Sequence, residues 1–284
     1  MTAKPITRIR PPKGWISLDF NEMLRYRDLL YFLTLRDIKV KYKQTLLGIA
    51  WSILVPSITA IIFYFLFGRV AKLPSDGLHP FLFYLSGLVI WQYFSTSLSM
   101  ASSSLVGSAN LITKIYMPRL FMPLSACIAA LVDFALSFCV LIFFMLFLKT
   151  LPAMTVFLAP LLIITAFATA AGAGFVFSAL NVKYRDIRYV IPFVIQIWMF
   201  CSVIIPFSKI PKAWGAWKYL YGLNPMGGVV EGFRWCLMHN RMTAEHAVGP
   251  PWILMGTGFV VAMCLLGFGL YYFRKTERYF ADIV

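Results

Sequence analysis

The sequence predicts an all-α integral membrane protein with six transmembrane helices. Of its 284 residues, 60% are hydrophobic and only 13% are charged, whereas soluble domains carry about 25% charged residues. A helix that crosses a bilayer needs about 20 consecutive apolar residues. Windows of this kind lie at 47–68, 80–100, 120–148, 153–181, 190–207 and 251–273. Their length and their lack of alternation argue against an outer-membrane barrel, whose strands are alternating segments of about 10 residues.

The N-terminal segment, residues 1–46, is basic and predicts a cytoplasmic N-terminus. Its first 20 residues lack the apolar stretch of a cleavable signal peptide. Lys and Arg accumulate in loops that are not translocated. With six spans, the inner segments 1–46, 101–119, 182–189 and 274–284 hold 18 of the 26 Lys and Arg residues. We therefore expect a multi-pass protein of the cytoplasmic (inner) membrane, with a transmembrane domain at 47–273 and a cytoplasmic tail at 274–284.

The formal net charge of +15 indicates membrane topology and attraction to anionic lipids. Nucleic-acid binding is disfavoured because no basic patch lies in a soluble domain. Part of the charge belongs to a predicted N-terminal amphipathic helix, with Arg25, Arg36 and Lys43 on its polar side. Its apolar stripe is Phe20, Leu24, Tyr31, Leu35, Ile38 and Tyr42. Such a helix lies in the cytoplasmic interface, and a pure topology anchor explains it at least as well as a functional role.

No catalytic, metal or disulfide site is predicted. The five cysteines contain no CxxC pair, and the three histidines lack metal-ligand spacing. The sequence also lacks the GxxxxGK[ST] pattern that cradles nucleotide phosphates, so this chain is not itself an ATPase. We therefore expect no cofactor on this chain, and the energy for any transport must come from a partner or from a gradient.

Four stretches, in their order along the chain, resemble a known family. They are RDIKVKYKQTLLGIAWSILVP at 36–56, KIYMPRLFMPLS at 114–125, NVKYRDIRYVIPF at 181–193 and LNPMGGVVEGFRW at 223–235. Together they resemble the permease subunits of ABC-2 type polysaccharide exporters, which are the O-antigen, capsule and teichoic acid transporters. The resemblance implies a homodimer of this chain with two copies of a separate ATP-binding subunit, which carries ATP and Mg. It also implies export of a lipid-linked, O-antigen-like polysaccharide.

The same resemblance identifies residues 101–119 as a coupling helix that docks on the ATPase. The coupling residues that it implies are Ile112, Lys114, Ile115, Tyr116 and Arg119, with Arg36 and Lys39 from the basic stretch before the first span. Without the resemblance, this segment would be interpreted as a short interfacial helix that has no partner.

Asp133 is the only carboxylate inside a predicted span. A charge at mid-bilayer costs about 2.5–3.5 kcal/mol on insertion scales, so this side chain must face protein or water. Either it is hydrogen-bonded to Ser or Thr of a neighbouring helix, or it contacts the substrate. A proton relay needs several ionisable groups in line, and the other predicted spans offer none. This argues against the alternative function of a gradient-driven lipid or glycolipid carrier, or of an integral-membrane enzyme without an ATPase partner.

The second predicted span is rich in hydroxyl and aromatic groups. Sugar rings stack on aromatic faces and form hydrogen bonds to hydroxyls and amides, so a polymer path along this span is chemically sensible. Helix packing through small polar residues and interfacial aromatic belts explain the same composition equally well. The candidate substrate-path residues are Tyr84, Trp91, Tyr93 and Ser97, with Asp133 from the third span.

Residues 219–238 are apolar but are interrupted by asparagine, proline and two glycines. A full crossing there would make seven spans and place the C-terminal tail outside, against the distribution of charge. We therefore expect a re-entrant outer hairpin between the fifth and sixth spans. Glu231 and Arg234, three residues apart, are placed to pair, either for local stability or as a gate. The candidate outer-gate residues are Asn224, Pro225, Glu231 and Arg234.

The six-span topology predicts which positions are accessible from outside. In a cysteine-free version, single cysteines at Ser75 and Lys212 should react with an impermeant thiol reagent added to intact cells, because both lie in predicted outer loops. A cysteine at Lys275 should react only after the cells are permeabilised. Labelling of position 275 in sealed cells would contradict this topology.

Overall fold

The computed structural model describes residues 24–43, 48–108, 111, 117–184, 186–204, 221–241 and 251–277. Within these residues the chain is mostly helical and contains no strand. The helices are α1 (Arg27–Lys43), α2 (Ala50–Val70), α3 (Pro80–Gly107), α4 (Phe121–Phe147), α5 (Met154–Lys183), α6 (Ile187–Ile204), α7 (Pro225–Met238) and α8 (Trp252–Glu277).

Six of these helices, α2 to α6 and α8, are long and apolar enough to cross a membrane. They coincide with the six predicted spans, so the prediction of an all-helical chain with six spans is confirmed. The largest difference is at α3, which continues to Gly107 through a run of serines. Ser102 and Ser104 donate to the carbonyls of Ser99 and Ala101, both at 2.7 Å. The helix therefore satisfies these hydroxyls itself.

Glycine and proline mark the starts of two spans. α3 begins at Pro80, where the missing N–H has no consequence and the fixed φ suits the first helical turn. The preceding loop turns at Gly77, whose φ of 79° is one that other residues rarely adopt. Gly48, with a φ of 44°, lies just before α2 and separates it from α1. These residues divide the apolar runs into separate helices.

α3 forms the centre of the bundle. Its most apolar window is 78% buried within the chain, compared with 17% for α2 and 22% for α6. α3 packs against α4 and α5, and α5 packs against α8. The last contact is close, because a Cβ on Gly269 would overlap the backbone of Gly172. Small residues of this kind let helix backbones approach each other within a membrane.

The bundle has two ends with different elements. The α1 end contains α1, the last turn of α3, the start of α4 and the end of α8. Arg36 meets Ser108 at this end, and Arg119 meets Glu277. The α7 end contains α7, the starts of α3 and α8 and the end of α6, and Gly228 of α7 lies against α8 there. The predicted topology assigns the α1 end to the cytoplasm and the α7 end to the outside.

α1 is a helix, but the face that packs on the bundle differs from the predicted apolar stripe. Leu33, which is not in the stripe, is 4% exposed, whereas Leu24 and Tyr31 of the stripe are 66% and 62% exposed. The stripe residue Phe20 lies outside the described residues. The other members of the stripe are half-buried: Leu35, Ile38 and Tyr42. The position of α1 at a membrane surface stays a prediction.

α7 lies in the segment for which a re-entrant hairpin is predicted. It has 14 residues, about 21 Å at 1.5 Å per residue, which is too short for a bilayer core of about 30 Å. Most of its residues are buried, and it packs against α3, α5 and α8. Residues 205–220 lie outside the described part of the chain, so the hairpin as a whole stays a prediction.

Candidate transport path and coupling elements

Asp133 of α4 binds groups from two other segments. Its Oδ2 accepts a hydrogen bond from Lys41 Nζ at 2.6 Å. Its Oδ1 accepts from Ser52 Oγ at 2.6 Å and from the hydroxyl of Tyr42. Burial and the hydrogen bond to Asp133 raise the pKa of Tyr42 to about 12, so this phenol is a neutral donor at neutral pH. The expected hydrogen bond to a serine of a neighbouring helix is present, and contact of Asp133 with the substrate stays a prediction.

A second polar contact between α1 and α4 lies nearer the α1 end. Asp37 accepts from Ser125 Oγ at 2.9 Å and pairs with the guanidinium of Arg36 at 2.8 Å. Arg36 also lies 3.5 Å from Ser108 Oγ, just after α3. Because Asp37 and Lys41 are one turn apart on α1, they place two polar contacts along α4.

The predicted coupling residues are placed only in part. Arg119 donates to the backbone carbonyl of Glu277, the last residue of α8, at 2.6 Å. A cation is favourable at the C-terminus of a helix, so this contact fastens the segment before α4 to the end of α8. Lys39 is exposed. The remaining coupling residues lie outside the described part of the chain: Ile112, Lys114, Ile115 and Tyr116.

The predicted path residues of α3 lie inside the core of the chain. Each is at most 3% exposed: Tyr84, Trp91, Tyr93 and Ser97. Tyr84 packs on Phe63 of α2 with ring centroids 6.1 Å apart, and Tyr93 packs on Phe134 of α4 at 5.7 Å. Large aromatic rings gain most from burial, so these residues belong to the core, although Tyr93 also lines a cleft of about 130 Å³ beside Gln92.

The accessible polar side of α3 is formed by other residues, which we call the serine face: Gln92, Ser95, Thr96, Ser99 and Ser103. Ser99 and Ser103 are exposed, and the other three are half-buried. The positions recur every three or four residues, so they share one side of the helix. The exposed members, Ser99 and Ser103, are not among the predicted path residues, although serines at 95, 99 and 103 repeat at helical spacing.

The serine face lies between the contacts that α3 makes with α6 and with α2, and we call the strip between these contacts the groove. On one side of it, Phe94 packs on Trp198 of α6 with ring centroids 4.9 Å apart. On the other side, Gln92 and Thr96 line a cleft of about 130 Å³ together with Trp51 and other residues of α2. At about 100° per residue, Ser95 and Ser99 lie between these two contacts. The two least buried spans therefore form the rims of the groove.

A larger cleft, of about 480 Å³, opens between α1, α3 and the start of α4. Ser103 lines it, so the cleft continues the serine face toward the α1 end. Arg36 and Lys41 contribute positive charge to its wall, and Asp37 contributes negative charge. The groove and this cleft together give an amphipathic surface that runs from the middle of α3 to the α1 end.

Arg234 of α7 is 0% exposed and ties α7 to two spans. It donates to the carbonyl of Phe83 in α3 at 3.1 Å and to that of Val203 in α6 at 2.6 Å. Its guanidinium lies 3.7 Å from the ring centre of Phe83 and pairs with Glu231 at 3.2 Å. Burial lowers the pKa of Arg234, whereas Glu231 raises it. A guanidinium stays protonated in proteins, so a full positive charge is held here, and the predicted pair with Glu231 is present.

Asn224 caps α7 and connects it to α6. Its Oδ1 accepts from the backbone N–H of Met226 at 3.1 Å and from Trp198 Nε1 at 2.7 Å. Its Nδ2 donates to Ser202 Oγ at 2.9 Å. Pro225 occupies the first helical position, where it suits the helix start. The Asn-Pro pair therefore determines where α7 begins and how it lies against α6.

A metal site is not evident in the described part of the chain, where no three His, Cys, Asp or Glu side chains are grouped so that they could hold an ion. The arrangement instead offers a polar groove, a buried ion pair between Arg234 and Glu231, an ion pair between buried Asp133 and the partly exposed Lys41, and a short buried helix at one end. The groove is an accessible polar surface, and the ion pairs and the short helix connect separate helices of the bundle.

The chain belongs to the ABC-2 type transporter family, whose model matches residues 28–238. It is similar to the O-antigen export system permease protein RfbA of Klebsiella pneumoniae, with 29% identity over 258 residues, 90% of this chain and 95% of that protein. RfbA of Myxococcus xanthus is 26% identical over 78% of this chain and 84% of its own length. The polysialic acid transport protein KpsM of Escherichia coli is 27% identical, over 86% of this chain and 92% of KpsM.

Gly87 leaves the room that Arg234 occupies, since a Cβ there would lie 2.6 Å from Arg234 Nη2. Gly87→Ala should displace the guanidinium, leave buried carbonyls without a donor and lower the midpoint of thermal unfolding by about 3 °C or more. Gly107→Ala is the control, because a Cβ at Gly107 meets nothing within 4 Å. Equal midpoints for the two variants in detergent would contradict this role of Gly87.

Proposed function

We propose that this chain is the permease subunit of an ATP-driven transporter that exports a lipid-linked polysaccharide, of the O-antigen type, across the cytoplasmic membrane. The proposal is carried by the similarity to an O-antigen export permease over 90% of the chain. The groove on α3 supports it, because a glycan needs hydroxyl and amide partners, and the serine face offers both in an otherwise apolar bundle.

ATP hydrolysis takes place on a separate subunit in this proposal, present in two copies and carrying Mg. The absence of a GxxxxGK[ST] pattern from the sequence supports this division. The coupling segment predicted at 101–119 begins later than expected, because α3 continues to Gly107. The ATPase docks on the part that follows α3 and ends at Arg119. Arg36 lies 3.5 Å from Ser108 at the start of this part, and Lys39 is exposed on α1. Because Arg119 binds the end of α8 and precedes α4 directly, a push on this segment would reach two transmembrane helices.

The permease acts as a homodimer in this proposal. α2 and α6 expose large apolar side chains, among them Trp51 and Ile58 on α2 and Phe193 and Ile197 on α6. The serine face lies between them, and hydrocarbon cannot satisfy its hydroxyl and amide groups. A second copy related by a two-fold axis would cover the groove and bring two serine faces toward each other.

The two serine faces then form the walls of the substrate path. The buried residues Tyr84, Trp91 and Ser97 lie on the core side of the same helix, whereas Tyr93, although buried, also lines the small cleft. Asp133 borders the small cleft beside Gln92. The larger cleft at the α1 end is the entrance, since it opens toward the end that the topology places in the cytoplasm.

α7 forms the outer gate in this proposal. Asn224 and Pro225 fix its start against α6, and Glu231 and Arg234 fix its middle against α3 and α6. A displacement of α6 would therefore act on α7 directly. This connection relates opening of the groove at its α6 rim to the α7 end.

The docking surface is tested by Ile115→Ala combined with Tyr116→Ala. Truncation of interface anchors typically costs more than about 2 kcal/mol, so co-purification of the co-expressed ATP-binding subunit should fall at least about tenfold. The permease itself should remain inserted and dimeric, while polysaccharide no longer reaches the surface. Phe143→Ala with Phe147→Ala removes two exposed rings at the α7 end and serves as the control. Unchanged export by the 115/116 variant at normal protein level would remove the coupling role from this segment.

The path is tested by Ser99→Trp and Ser103→Trp. The indole should fill the groove, so export should fall to a small fraction while the complex still assembles and hydrolyses ATP. Ile164→Trp adds the same ring at an exposed position of α5 and should export normally. Normal surface polysaccharide in both serine variants would show that the groove is not the path.

A further inference from the structure

Donors from two segments of the chain converge on one carboxylate of a third. Lys41 and Tyr42 come from the last turn of α1, Ser52 from the first turn of α2, and Asp133 from the interior of α4. The hydroxyls of Tyr42 and Ser52 are themselves 3.3 Å apart. The end of α1 and the start of α2, which we call the α1–α2 joint, therefore contact the same carboxylate of α4.

The joint is held to α4 at two successive helical turns. One turn beyond Asp133, the Oγ of Ser137 donates to the backbone carbonyl of Ser52 at 2.7 Å. On the α1 side, Ser125 of α4 binds Asp37 at 2.9 Å. Polar contacts thus follow α4 from Ser125 to Ser137, and they involve both α1 and α2.

The oxygens of Asp133 are already engaged within the chain. Oδ1 accepts from two hydroxyls and Oδ2 accepts from the ammonium of Lys41. The side chain of Asp133 is 9% exposed, and that of Lys41 is 37% exposed. A buried carboxylate that loses its partner leaves an uncompensated charge, which is strongly destabilising. The contacts resist any motion that would separate α1 or the start of α2 from α4.

We propose that Asp133 is a positioning residue that locks the α1–α2 joint onto α4, so that α1, the start of α2 and α4 move as one rigid unit during transport. α2 is a rim of the groove over the serine face, and α1 lies at the end where the ATPase docks in the proposed function. When α1 is displaced, these contacts move the start of α2 with it, and α2 borders the groove. Asp133 has this role without contacting the substrate.

The first test needs neither cargo nor ATPase, so it is independent of the proposed function. Lys41→Met and Asp133→Asn should each lower the thermal midpoint of the purified permease, by about 3 °C or more for Lys41→Met. The double variant should lose less than the sum, because it leaves no unpaired charge. Lys43→Met, at an exposed lysine of the same turn, should leave the midpoint unchanged. Additive effects of the two single variants would overturn the lock.

The second test separates positioning from substrate contact in the assembled complex. A positioning role predicts that Lys41→Met and Asp133→Asn both lower export, while each complex, compared at equal amounts of folded protein, still hydrolyses ATP. More ATP is then used for each polymer exported, which a loss of folded protein alone would not produce. Loss of export in Asp133→Asn with normal export in Lys41→Met would overturn the proposal and assign Asp133 to the substrate.

The third test asks whether the unit stays closed during transport. In a cysteine-free version, one pair of cysteines replaces Ser52 and Ser137, and another replaces Asp37 and Ser125. Hydrogen bonds join Ser125 to Asp37 and Ser137 to the carbonyl of Ser52, so a short, reducible bifunctional thiol reagent should bridge each pair. The single-cysteine variants are the controls. If α1, α2 and α4 move together, export should be the same for the cross-linked and reduced forms.

Loss of export on cross-linking, with recovery on reduction, would show that the joint opens and would overturn the rigid unit. Failure of the reagent to bridge either pair would show that α1 and α2 do not stay beside α4, and would also overturn it. If the unaltered chain with its ATP-binding subunit exports no polysaccharide, the proposed function fails, and the thermal cycle still decides whether Lys41 and Asp133 are coupled.

Discussion

Hydrocarbon cannot form hydrogen bonds, so each polar group that this chain carries among its spans needs a partner from the protein or a place beside water. The arrangement of the helices follows from this constraint. Asp133 draws α1 and the start of α2 onto α4, and Arg234 holds α7 between α3 and α6. Several serines of α3 donate to carbonyls of their own helix, such as Ser102 and Ser104, and the hydroxyl of Tyr93 lies 3.5 Å from the carbonyl oxygen of Cys127 in α4.

The Lys41–Asp133 cluster lies at the middle of α4, and the Arg234 cluster lies at the α7 end. Both join segments that are far apart in the chain. Lys41 and Asp133 are separated by 92 positions, and Arg234 and Phe83 by 151. Between the clusters, α2 and α6 have little other support, since their apolar windows are only 17% and 22% buried. Segments with few buried contacts are those that proteins move most readily. The bundle therefore combines a fixed centre, formed by α3, α4, α5 and α8, with two less buried spans that are fastened at particular points.

α3 serves two purposes with two sides of one helix. Its aromatic side packs into the core, where Tyr84 and Tyr93 contact α2 and α4, and its serine face looks into the groove. The side chains of a binding surface are positioned more precisely when they lie on a helix whose other side is fixed by packing. This explains why the second span is both the most buried span and the one richest in hydroxyls, a combination that would be unusual for a helix surrounded by lipid.

The sequence by itself determined those features of this protein that depend on residues close together in the chain. Hydropathy identified the six spans, spacing of three residues identified the Glu231–Arg234 pair, and Asn-Pro indicated a break in the last apolar segment, because each depends on residues close together in the chain. Only the tertiary structure decided which side of α3 is accessible, which side of α1 packs, and that Lys41 is the partner of Asp133. Those choices depend on which helices become neighbours, and a sum of local preferences contains no information about contacts between positions 92 residues apart. The aromatic residues of α3 could not be placed from the sequence for the same reason. Their chemistry suits both a sugar-binding surface and a hydrophobic core, and they are buried because α2 and α4 pack around them.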